Sequence, residues 1–164
     1  ADPYLAFKTA ELKIHNDKRA LHGCPPLVLN ETLNAAAQAY AQSLATSHTF
    51  THSPAARNGL YGENLYWAWW SSSSATYNNG TASTNWYSEV TNYNFATGQA
   101  IDSTKPIGHF TAMVWKATKS VGFGYYRIAE TRGTTQGFAV YVVANYAPTP
   151  NVRGQYLANV PRLL

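Results

Sequence analysis

Cysteine is nearly missing from this sequence: Cys24 is the only one among 164 residues. No intrachain disulfide can form, so the fold must rest on its core, and cysteine usage gives no sign of an oxidising compartment. Long apolar runs are missing as well. Nothing approaches the ~18 consecutive apolar residues of a membrane-crossing helix. No charged-then-apolar leader opens the chain, so a signal peptide is expected to be absent or already removed. Acidic residues are few, eight against twelve Lys and Arg, which leaves little choice for paired carboxylates. The basic residues are scattered, with Lys8, Lys13, Lys18 and Arg19 early and Lys105, Lys116 and Lys119 late. A nucleic-acid binder gathers them on one helix or stripe, so no nucleic-acid partner is expected. Also missing are a phosphate-cradling glycine loop, a nucleophile elbow and a helix with two histidines around a glutamate.

What is present fits one domain, 1–164, long enough to bury a core. The segment "YLAFKTAELKIHNDKRALHG" places Phe7, Ala10, Ile14 and Leu21 near a helical period and ends at Gly23 before Pro25 and Pro26. After an extended "LVL", Asn30 is the expected N-cap of a second helix with Leu33, Ala37, Tyr40 and Leu44 on one face. The stretch "HTFTHSPAARNGLYGENLYWAWW" reads as polar and turn-rich, and "SSSSATYNNGTAS" as a surface loop. A third helix over "TNWYSEVTNY" sets Trp86, Val90 and Tyr93 on one side with Glu89 between them. "NFATGQAIDSTKP" reads as an irregular loop, and "GHFTAMV" as a fourth helix opened by His109. "VGFGYYRI" and "GFAVYVVANYA" read as strands joined through a loose "AETRGTTQ" tip, and the tail from Pro148 as irregular. Two sequons, at Asn30 and Asn79, are candidate glycosylation sites.

Glu63 in "YGENLYW" and Glu89 in "NWYSEVTNY" sit among aromatic residues. A carboxylate in such company is costly to desolvate unless a cation or donor answers it. Of the five histidines, His15, His22 and His48 read as surface or packing residues, while His52 in "THSP" and His109 lie at element edges. Two histidines and two glutamates so placed suit a divalent-metal or proton-transfer site. From spacing alone, scattered caps and core hydrogen bonds explain them better.

The motifs "YGENLYW", "NWYSEVTNYNF", "GHFTAMVWKAT" and "YVVANYAPTPNV", in that order, resemble the signatures of the CAP superfamily. That superfamily comprises cysteine-rich secretory proteins, antigen 5 of insect venoms and plant pathogenesis-related proteins of group one. The resemblance implies an α+β fold, a three-layer α-β-α sandwich with a central antiparallel sheet and an open cleft. It implies a cleft tetrad of His52, Glu63, Glu89 and His109, with His52 and His109 as ligands of Zn2+ or another divalent cation. It also implies secretion, with a Golgi membrane as the alternative location. Three positions depart from the pattern. Ala144 stands where many members carry cysteine, Pro150 where glycine is common, and the 95–107 loop is longer and more polar than the loop that binds sterol in some members.

The expectation is therefore a non-enzymatic binding module, with a metal- or glutamate-dependent hydrolase as the rival reading. Tyr93, Phe95, Lys105, Trp69 and Trp70 are the candidate contacts for lipid or a membrane. A fatty acid or an anionic membrane surface is expected ahead of sterol, and a homodimer is left open.

Overall fold

A computed structural model describes residues 2–164. In chain order, α1 (Leu5–Leu21) is followed by β1 (Val28–Leu29), α2 (Glu31–Ser47), the short α3 (Pro54–Arg57) and β2 (Gly62–Trp70). Then come α4 (Thr81–Tyr87), a 3-10 turn over Ser88–Asn92, and the two-residue strands β3 (Tyr93–Asn94) and β4 (Gln99–Ala100). Helix α5 (Gly108–Val114), strands β5 (Ser120–Arg132) and β6 (Thr135–Ala147), and α6 (Tyr156–Asn159) complete the fold.

β5 and β6 form the hairpin on which everything else is laid. Their apolar alternation continues past Tyr126, and pairing runs from Ser120↔Ala147 to Arg132↔Thr135. The expected loose tip is thus a tight turn, with Gly133 at φ 59 supplying the left-handed backbone that matches strand twist. β2 joins the other side of β6, from Gly62↔Tyr146 to Trp70↔Phe138. This corrects the turn-rich reading of that stretch. The aromatic run lacks a clean alternation, and only pairing along β6 makes it a strand. β1 pairs in parallel with β5, so the sheet, in the order β1-β5-β6-β2, is mixed rather than wholly antiparallel.

Helix α2 covers one face. Asn30 caps it as expected, its Oδ1 accepting the Leu33 N–H at 3.0 Å, and Ala37, Ala41, Leu44 and Ala45 are buried. Gly122 and Gly124 of β5 lie directly beneath, where a Cβ would fall inside the α2 backbone at Leu33 and Ala37. Helices α1, α4 and α5 cover the other face, around Phe7, Trp86, Phe110, Trp115 and Phe123. The result is an α-β-α sandwich.

α1 does not bury the face its apolar residues suggest. Its buried residues are Phe7, Glu11, His15 and Arg19, with His22 beyond its end, while Leu21 is exposed. Each polar group has partners. Glu11 accepts from the Tyr77 hydroxyl, the Gly80 and Ser83 N–H groups and the Ser83 hydroxyl. Arg19 donates to the carbonyls of Pro25, Met113, Trp115 and Thr118 at 2.7–3.0 Å.

The third helix is also shorter than its sequence suggests. It is α-helical only to Tyr87 and passes through the 3-10 turn, so Tyr93 begins β3 instead of ending a helix. Within the expected loop, β3 and β4 pair, and the tail contains α6. Ala144 is buried against Asn64 and Phe123.

Candidate functional site

Glu63 leaves β2 toward the segment that precedes α3. Ser53 N-caps α3, accepting the Ala56 N–H, and its hydroxyl donates to Glu63 Oε2 at 2.7 Å. The Ser53 N–H and His52 Nδ1 both reach Glu63 Oε1, at 2.8 and 3.0 Å. Asn145, opposite on β6, donates to Oε2 at 3.1 Å. Burial raises the Glu63 carboxyl, but these four donors outweigh it and hold it below the ordinary carboxylate value. The Glu63 side chain is 1% exposed whereas that of His52 is 52% exposed.

Glu89 forms the second pair, from the 3-10 turn. Its Oε1 accepts the His109 and Phe110 N–H groups at 3.0 and 3.1 Å, capping the first turn of α5 from a distant segment. Its Oε2 accepts from His109 Nδ1 at 2.7 Å. Trp86 lies parallel to the His109 ring with centroids 6.2 Å apart. Side-chain exposure is 31% for His109 and 13% for Glu89.

The four residues singled out in the sequence thus meet as two His–Glu pairs. Asn151 stands beside the first pair and bonds the turn of α5 that carries His109. It lines a cavity of about 310 Å3 with His52, Arg57, Tyr61, Glu63 and Pro150. Its amide donates to the Gly108 carbonyl at 2.9 Å, and its Oδ1 accepts the Thr111 hydroxyl at 2.7 Å. Because a carboxylate only accepts, each imidazole carries a proton on Nδ1, and its neutral form leaves the Nε2 lone pair free. Among the described residues, no group of three or more His, Cys, Asp and Glu is gathered closely enough to hold a metal ion. Ser53, Asn145 and Asn151 went unnoticed in the sequence. Only Ser53, immediately before Pro54, carries a local signal, that of an N-cap.

A third pair lies elsewhere. His48, in a left-handed conformation after α2, donates from Nδ1 to Glu130 at 2.9 Å beside a larger cavity of about 480 Å3. Glu130 already receives Arg132 and the Tyr141 hydroxyl, so its charge is answered within the protein.

The membrane candidates divide. Tyr93 is 3% exposed and packs on Phe95 and Phe110; it belongs to the core, correcting its expected place at a lipid surface. Phe95 is partly buried against His22. Trp69 and Trp70 are half-buried, and the Trp69 indole donates to the Glu130 carbonyl. Lys105 is exposed. Of the sequons, Asn79 is exposed while Asn30 is engaged as the α2 cap.

A family model described as "CAP: Cysteine-rich secretory protein family" matches residues 12–146. This chain belongs to the CAP family. The CAP chain is 40% identical over 146 residues to Golgi-associated plant pathogenesis-related protein 1 of Homo sapiens, covering 89% of this chain and 85% of that one. Fungal relatives, one named Secreted protein RBT4 of Candida albicans, are longer, and the chain spans 36% to 43% of their length. Among solved structures, BmVAL-1 superposes with TM-score 0.68 at 23% identity, covering 99% of this chain and 82% of that one. NaASP2, whose structure was determined with Zn2+, gives TM-score 0.55 at 22% identity, covering 94% and 85%. At these identities both structures speak for the CAP fold alone.

Proposed function

We propose that this CAP protein is a non-enzymatic binding module in which His52 and His109 hold a divalent cation, Zn2+ or a similar ion. One observation carries the reading: both imidazoles are tied through Nδ1 to a carboxylate, that of Glu63 buried and that of Glu89 mostly so, which leaves Nε2 as the possible ligand. Carboxylates in that position orient metal-binding histidines and raise their basicity. The donor set fits a weak site, since tight structural zinc sites use about four protein ligands. The cation would supply open coordination positions for water or an anionic ligand. In the rival reading, a hydrolase, the base would be an imidazole Nε2 rather than a carboxylate, because Glu63 already accepts four hydrogen bonds and Glu89 three.

The test is calorimetric titration of ZnCl2 into the protein at pH 7.5 and at pH 5.5. Weak binding is expected at the higher pH and loss at the lower, because protonated imidazole cannot ligate. Replacing His52 and His109 together with alanine abolishes binding and leaves the circular dichroism spectrum unchanged. No zinc heat from the unmodified protein at pH 7.5 defeats the reading.

The same reading extends to a lipid partner, a fatty acid or an anionic membrane ahead of sterol. Its support is the 101–105 turn, where Ile101 and Lys105 are both exposed and no flat apolar wall for a sterol is offered. The reading accords with secretion or with a Golgi membrane. Association with anionic vesicles is expected to fall as salt rises, since exposed charges are screened over about 10 Å at 0.1 M. Saturable cholesterol binding tighter than palmitate binding, without vesicle association at low salt, contradicts it.

A further inference from the structure

A continuous polar chain runs through the fold from α1 to the site, and every proton on it can be assigned. It starts at His15, fully buried among aromatic rings. His15 Nδ1 faces the Glu11 carbonyl at 2.9 Å. A carbonyl only accepts, so Nδ1 carries the proton and Nε2 is bare. Burial pushes the His15 imidazole down to about 3, which keeps it neutral. Tyr146 lies with its hydroxyl 2.7 Å from Nε2, so it must donate there. Its oxygen is then left to accept, and the Asn64 amide supplies that hydrogen at 3.1 Å. The second N–H of the same amide reaches the His109 carbonyl at 3.0 Å.

We infer that Asn64 is a positioning residue for His109, holding the backbone of that residue from strand β2 while Glu89 holds it from the 3-10 turn. The inference rests on the reading of His109 as a cation ligand. His109 lies in the first turn of a seven-residue helix, where intrahelical bonds are fewest and fraying is easiest. Glu89 takes its N–H and Nδ1, and Asn64 takes its carbonyl, so the residue is pinned on both sides. The task needs asparagine. Two donors on one rigid amide must span a hydroxyl and a carbonyl; aspartate has none, and serine has one.

The decisive variant is Asn64→Asp, which keeps the shape and removes both donors. Tyr146→Phe, which deletes one oxygen and retains the ring packing, is the second. Two measurements are made on each: ZnCl2 titration, and 15N NMR of the His52 and His109 rings without metal. For Asn64→Asp the expected result is roughly a tenfold or greater loss of zinc affinity, the scale seen for outer partners of metal ligands. The His109 ring signals should move from a single Nδ1–H tautomer toward a mixture while those of His52 stay put. Tyr146→Phe should shift both readings in the same direction by less. A His109 spectrum unchanged in both variants overturns the inference, as does an equal disturbance of His52 and His109, which would mark a general loss of structure. If the unmodified protein binds no zinc, the cation reading falls, yet the NMR comparison still decides the role of Asn64.

Discussion

The two faces of the sheet are built by opposite means. Under α2, alanines meet Gly122 and Gly124, and the helix backbone sits almost on the strand. Under α1, Glu11, His15 and Arg19 are buried, and each is answered by hydrogen bonds from α4, α5 and β6. The first face is held by shape and the second by a satisfied polar network. Where a helix backbone rests on a glycine there is no room for an added side chain. A buried polar network is intolerant of losing any member, because the groups left behind keep their desolvation cost.

That contrast can be tested from its strongest consequence downward. Gly124→Val should be the most damaging single change, since the new side chain meets helix backbone that cannot move aside. A loss of about 3 kcal/mol or more is expected, against a total of roughly 5–15 kcal/mol for a natural domain. Little soluble protein, or a collapsed urea midpoint, is the outcome to look for. Arg19→Met should follow. The replacement fills much of the space but takes the Arg19 donors from the carbonyls of Pro25, Met113 and Thr118, while that of Trp115 keeps the Thr118 N–H. Each buried carbonyl left without a partner costs about 1–3 kcal/mol, again measured by urea unfolding. A cost near zero would show that the second face is held by shape after all.

The polar face should also carry an acid sensitivity of its own, in His15. The unfolded His15 imidazole titrates near its ordinary 6.5 and the folded one near about 3. Between those values the unfolded chain binds the extra proton, so stability falls as pH falls, by at most about 1.4 kcal/mol per pH unit. Glu63 and Glu130, on the α2 side of the sheet with Leu65 and Tyr141, are held below the ordinary carboxylate value despite burial and add a separate loss at the acid end. Thermal melts from pH 7 to pH 4 should therefore descend, and His15→Gln should flatten the upper part of the slope. Equal slopes in both proteins would assign the acid sensitivity elsewhere. At the site, Glu89→Gln should be milder than Glu89→Ala, by about 1–3 kcal/mol, because the amide still hydrogen-bonds the α5 N–H groups. Smallest is Gln38→Ala on the α2 face. The Gln38 amide brackets the backbone of Tyr125 along β5 at 2.8 and 3.0 Å, and these half-buried bonds are worth about 1 kcal/mol together.

Much of the site could be read before any coordinates, though not its working parts. Glu63, Glu89, His52 and His109 stand out because charged groups among aromatic residues are uncommon, and the ordered motifs tie them to one family. How they pair depends on contacts between residues far apart in the chain, as does the support from Ser53, Asn145, Asn151 and Asn64. Asparagine and serine occur everywhere on protein surfaces, so nothing local sets these apart.

The elements divide in the same way. The α2 cap at Asn30, the stop after α1 at Gly23 and the β5–β6 alternation are local matters of backbone preference and periodicity, and the sequence alone determined them. The strand status of "GENLYWAWW", the parallel edge strand β1 and the buried face of α1 were decided by the tertiary structure. β2 needs β6 beside it to satisfy its backbone groups. β1 pairs only after the chain has gone round the sheet. α1 turns Glu11, His15 and Arg19 inward because distant carbonyls, hydroxyls and N–H groups await them there. Hydrophobic period shows which face is cheap to bury, and it carries no information about partners that only the folded chain brings within hydrogen-bonding distance.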